Sequence, residues 1–127
     1  MKRFVFASVL LLLVLGFNIY CLCAVKTAKN DVIMRLDEIS SVIEKGDSSD
    51  RIAEKAEVFM DYWKETQDSL SRIIRHDLLD RITSSSAAFY DLATYGETGE
   101  LSAEISRCKV LMEEIWDSER PLLRNIF

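Results

Sequence analysis

Cysteine, histidine, proline and glycine are all scarce here, and each shortage removes a class of protein. Two of the three cysteines, Cys21 and Cys23, sit in an apolar run, leaving Cys108 by itself. No intramolecular disulfide framework is therefore open to the rest of the chain. With one histidine, His76, a metal centre would have to draw its remaining ligands from carboxylates. Neither a Gly-x-Ser-x-Gly elbow nor a glycine-rich phosphate loop occurs, which leaves hydrolase and nucleotide-binding readings without a motif. Strand-like alternation and Asn-Gly hairpins are absent too. Charge of either sign is missing from residues 4–25, and acidic residues are missing before them.

What is present begins with that uncharged run. Its 22 residues rise about 33 Å as a helix, enough for a hydrocarbon core of roughly 30 Å. Only Gly16 and Asn18 interrupt its apolar character, and no polar face is left for a soluble core helix. We read residues 1–3 as a short cytoplasmic N-terminus and residues 4–25 as a transmembrane signal anchor held in membrane lipid. A cleaved signal peptide is the competing reading. Its best junction, Leu22-Cys23-Ala24, has a large residue where a small one is preferred, and neither cysteine lies in a lipobox. Lys2 and Arg3 stand against Lys26, Lys29 and Arg35, so basic residues orient the span weakly. The signal-like layout favours a single-pass protein of the cell membrane with its soluble part extracytoplasmic.

All 21 acidic residues follow the anchor, against 14 Lys and Arg, a net −7. Such a domain repels phosphate backbones, so nucleic acid is not an expected partner, and broad adhesion to anionic lipid is disfavoured. Lys26 and Lys29 are read as markers of the membrane surface.

Helical periodicity dominates residues 26–120. Val32, Leu36, Ile39 and Ile43 continue the anchor as a helix, which Gly46 ends. Asp47-Ser48-Ser49-Asp50 supplies turn and N-cap chemistry. A second helix carries Ile52, Ala56, Phe59, Trp63, Leu70 and Ile74 on one stripe. A break near His76-Asp77 leads to a third, with Leu79, Ile82, Ser86, Phe89 and Ala93 aligned across a weak Ser84-Ser85-Ser86 centre. Tyr95-Gly96 and Thr98-Gly99 bracket a turn. A fourth helix carries Leu101, Ile105, Cys108, Met112 and Ile115, and Pro121 is expected to close it, leaving residues 121–127 as a C-terminal tail. The fold class is all-α: an N-terminal transmembrane helix followed by an antiparallel bundle of three to four helices.

The order and spacing of Trp63, His76, Asp80, Ile82, Lys109, Leu111, Ile115, Glu119 and the ending Asn125-Ile126-Phe127, behind an N-terminal anchor, resemble the domain-of-unknown-function family numbered 4363. Arg75 departs from that pattern, where an acidic residue is expected before the histidine, as do Leu78 and the serine run. The resemblance covers essentially the whole chain. It implies a small bacterial membrane protein and carries no catalytic residues.

His76, Asp77 and Asp80 are the weak metal candidates, since residues four apart share a helix face. The simpler reading makes them corner chemistry: His76 at the end of the second helix, Asp77 as N-cap of the third, Asp80 at its N3 position. Trp63 and Trp116 read as core anchors, with a ligand pocket as the alternative. Cys108 reads as a small buried hydrophobe. Leu122, Ile126 and Phe127 either pack back on the bundle or form a docking segment, and are the weak partner-binding candidates. These residues predict no enzyme and no cofactor. They suggest an accessory or interaction module docking to another membrane protein or forming a homo-oligomer, with an extracytoplasmic sensor or small-ligand module as the alternative.

Overall fold

A computed structural model describes the backbone of residues 1–126 and the side chains of residues 1–118. Five helical segments follow one another: α1 (Lys2–Glu44), α2 (Ser49–Leu70), α3 (His76–Ala87), α4 (Phe89–Thr94) and α5 (Thr98–Ile126). Among the described residues there is no strand.

The apolar run and the first bundle helix are one uninterrupted rod of 43 residues. Nothing between Gly16 and Gly46 breaks it, since neither glycine nor proline occurs in that interval. Its first half is long and apolar enough to cross a membrane and keeps its side chains exposed, Phe4, Leu12 and Tyr20 among them. Its second half presents Val32, Leu36, Ile39 and Val42 to the core. The boundary lies slightly earlier than hydropathy places it. Val25, the last residue of the uncharged run, is 1% exposed and belongs to the bundle core. Its chemistry suits lipid and core equally, so composition alone could not assign it.

Gly46 ends α1 at φ +70°, and Gly96 ends α4 at φ +73°. At each, the glycine N–H and the following N–H return to carbonyls of the last turn: Gly46 to Ile43 and Asp47 to Val42, Gly96 to Ala93 and Glu97 to Leu92. This paired closure needs a left-handed residue, which only glycine adopts without strain. Ser48 then opens α2, its hydroxyl accepting from the Arg51 backbone N–H at 3.4 Å.

Three helix limits differ from the periodicity. α2 stops at Leu70, where Ser71 Oγ donates to the Asp68 carbonyl at 2.8 Å and the chain turns through residues 71–75. Ile74 stays buried although it leaves the helix. The expected third helix divides at Ala88, just after the serine run. Thr83 and Ser86 hydroxyls draw on the Leu79 and Thr83 carbonyls there, competing with the ladder. Finally, Pro121 does not close the last helix, which continues to Ile126. Proline removes one backbone donor and crowds the carbonyl four residues back, which is why the sequence pointed to a stop there.

Packed pairs are α1 with α2, α2 with α3 and α4, these two with α5, and α5 with α1. The α1 to α3–α4 and α2 to α5 pairs do not approach, and so form the diagonals of a four-cornered antiparallel bundle. Trp63, Phe59, Phe89, Leu36, Leu79, Ile105 and Met112 fill its interior. Phe59 of α2 and Phe89 of α4 pack across the seam between those helices with ring centroids 5.7 Å apart. Because the helices alternate in direction, the turns at Gly46 and Gly96 share one end. The turn at residues 71–75 lies at the other, beside the apolar half of α1.

Candidate functional site

His76 is the first residue of α3, not the last of α2. The turn at residues 71–75 shifts the corner, so His76 cannot complement the C-terminal dipole of α2 as the sequence suggested. Arg75, rather than Asp77, occupies the N-cap, with φ −61° and ψ 134° and no side-chain cap bond. Asp77 lies within the first turn, where its carboxylate favours the helix dipole, and it pairs with the Arg75 guanidinium at 3.1 Å. Asp80 receives a 3.5 Å hydrogen bond from Gln67 Nε2, tying α3 to α2. His76, Asp77 and Asp80 are all exposed. Asp77 and Asp80 face an open cleft of about 740 Å³ between α3 and α5, shared with Arg81, Glu104 and Arg107. His76 does not line it. Among the described residues no three His, Cys, Asp or Glu side chains gather as a metal site would require.

Trp63 is fully enclosed, and its indole N–H donates to Thr83 Oγ1 at 2.9 Å. Thr83 Oγ1 in turn donates a hydrogen bond to the Leu79 carbonyl at 3.1 Å, so the polar tip of the tryptophan is satisfied inside the core. No accessible surface remains to line a ligand pocket. Trp116 is half-buried under the Lys29 ammonium, 5.7 Å from its ring centre. Lys29 also pairs with Glu113 at 3.1 Å, and Lys109 with Asp37, so Lys29 lies in the α1–α5 seam rather than free at its surface.

Cys108 is fully buried between α5 and α3, near Ser85 and Glu104. Ser85 donates to the Glu104 carboxylate, bringing a buried hydroxyl to the rim of the α3–α5 cleft. Burial pushes the Cys108 thiol up to about 11, the Ser85 hydrogen bond opposing that rise and the Glu104 charge adding to it. A thiol held protonated in this way is a poor nucleophile.

Sequence reasoning missed a groove of about 950 Å³ where α1 meets α2 and the following turn. Phe17, Tyr20 and Cys21 line its apolar end, and Asp31, Glu65 and Arg72 bring charge to it. Beside it, the Arg35 guanidinium stacks 3.9 Å above the Tyr62 ring, and its buried Nε has no hydrogen-bond partner among the described residues. The groove joins residues some forty positions apart, so no local spacing signals it. The tail candidates Leu122, Ile126 and Phe127 lie outside the described side chains.

Among curated proteins and solved structures, none gives a significant match. A family model described as "Domain of unknown function (DUF4363)" matches residues 19–126. The match takes in every bundle helix and the stretch of α1 where the apolar run enters the core, so the folded unit crosses the boundary that hydropathy drew. The chain belongs to the DUF4363 family.

Proposed function

We propose that this chain is a membrane-anchored, non-enzymatic helical bundle that docks, beside the extracytoplasmic membrane surface, against another membrane protein or a copy of itself. One observation carries the anchoring: Val25 is enclosed in the bundle core although it ends the apolar run. Cleavage after Ala24 would make Val25 the new terminus and hold an ammonium group beside a sealed core, where an unpaired charge is costly. An uncut α1 avoids this by serving as membrane span and bundle helix in one rod. The junction between them then has no flexible linker.

Confinement beside a membrane raises the effective concentration of any partner, so a modest interface suffices. Met34 on α1 and Val58 on α2 remain exposed, at 53% and 52%, and the C-terminal segment with Leu122, Ile126 and Phe127 is the third contact candidate. The enclosed, protonated Cys108 and the separately engaged Asp77 and Asp80 support a non-enzymatic role.

Cross-linking in native membranes tests this reading. A discrete larger species is expected with photo-reactive groups at positions 34, 58 or 122. Recovery of monomer alone under amine, thiol and photochemical linking would remove it.

A further inference from the structure

The groove between α1 and α2 changes character along its length. Tyr20 and its apolar neighbours lie on the part of α1 assigned to lipid by the proposed anchoring, on which this inference rests. Arg72 enters from the turn after α2, beside that apolar end. Glu65 stands seven residues earlier on the antiparallel α2, roughly 10 Å farther from the lipid at 1.5 Å per residue. Asp31 lies eleven residues beyond Tyr20 on α1, roughly 16 Å farther out by the same rise. Along the direction leaving the membrane the order is apolar, cationic, anionic.

None of the three charged side chains is committed elsewhere: among the described residues Asp31, Glu65 and Arg72 form no ion pair. Thr66 adds a hydroxyl between the cationic and anionic levels. The groove's volume, about 950 Å³, is ample for a headgroup, its glycerol and the first acyl carbons.

The geometry points to a bound phosphatidylethanolamine molecule. In that lipid the acyl chains, phosphate and ammonium follow one another in the groove's own order. The phosphate meets the Arg72 guanidinium, and the ammonium meets Glu65 and Asp31 beyond it. A primary ammonium offers three donors and can serve both carboxylates and Thr66 together. A phosphatidylglycerol headgroup carries the same phosphate but no cation, so it would leave Glu65 and Asp31 without a counter-charge. The site recognises a zwitterion by the placement of opposite charges along a groove, in a domain whose overall charge disfavours anionic lipid.

The test uses the full chain reconstituted in bilayers of equimolar phosphatidylethanolamine and phosphatidylglycerol, then released gently for native mass spectrometry. One phosphatidylethanolamine per chain is expected to remain, in preference to phosphatidylglycerol. Glu65→Gln and Asp31→Asn should each lower its retention about tenfold, as loss of one charge-assisted hydrogen bond does. Arg72→Gln should weaken retention of both lipids. Lipid-free chain, equal retention of the two lipids, or unaltered retention in all three variants would overturn the assignment. So would a lipid-free dimer, which would give the groove to a second copy. Flotation of the same preparation separates the two ideas. Chain that floats without holding phosphatidylethanolamine contradicts this inference alone; chain that does not float contradicts the anchoring as well.

Discussion

Cys108 shows how burial governs a single side chain. In the fold its thiol titrates near 11, against 9.0 when unburied. Between those values the unfolded chain loses the proton while the folded chain keeps it, so stability falls as pH rises from about 9 to about 11. Two pH units correspond to on the order of 2–3 kcal/mol of the wild-type stability. Chemical unfolding at pH 8 and pH 10.5 should show this component of the loss in wild type and not in Cys108→Ala. An equal loss in both proteins would place the thiol in a less enclosed setting. Trp63 supplies the contrasting case of a large side chain whose polar tip is answered. Trp63→Phe should cost about 1–3 kcal/mol for the lost hydrogen bond and the unpaired Thr83 hydroxyl. Trp63→Ala should cost about 3–5 kcal/mol because it also empties the core. His76→Ala, at an exposed helix start, should remain within about 0.5 kcal/mol of wild type. The stripe of Phe59, Trp63 and Leu70 made Trp63 legible as a core residue from spacing alone. Its partner Thr83 was not legible, because a hydroxyl twenty residues away leaves no mark on local periodicity.

Elements end where side chains and backbone compete, and this is where sequence and structure agree least. Gly46 was readable as a stop because a helix needs a left-handed residue at that position. Gly96 obeys the same rule. Gly46→Ala and Gly96→Ala should each destabilise the fold by about 1 kcal/mol through the positive φ. Gly99→Ala, inside α5 with open space around it, should be neutral or slightly stabilising in the same denaturant titration. A stabilising effect at position 46 or 96 would contradict the paired-carbonyl closure. The end of α2 and the division at Ala88 were harder to read. Ser71, Thr83 and Ser86 tolerate a helix but can also donate a hydrogen bond to a carbonyl of the preceding turn. Which outcome prevails depends on packing that a stripe of apolar residues does not encode. Pro121 misleads in the other direction: proline disfavours continuation, yet α5 runs to Ile126.

At the scale of the whole molecule, four apolar stripes joined by short turns left little choice but an antiparallel bundle, and the fold class was legible for that reason. The α1–α2 groove was not, because it depends on which helices become neighbours and at what height their charges meet. The same pairing decides how the apolar run relates to the rest. Hydropathy ends it at Val25, whereas packing takes Val25 into the core and makes the apolar run and the first bundle helix a single helix. Terminal sequencing and intact mass of the protein recovered from washed native membranes test that continuity most directly. An uncut residue 24–25 bond, with residues 4–24 present and the chain confined to the membrane fraction, is the predicted result. A soluble species beginning at Val25 would contradict it.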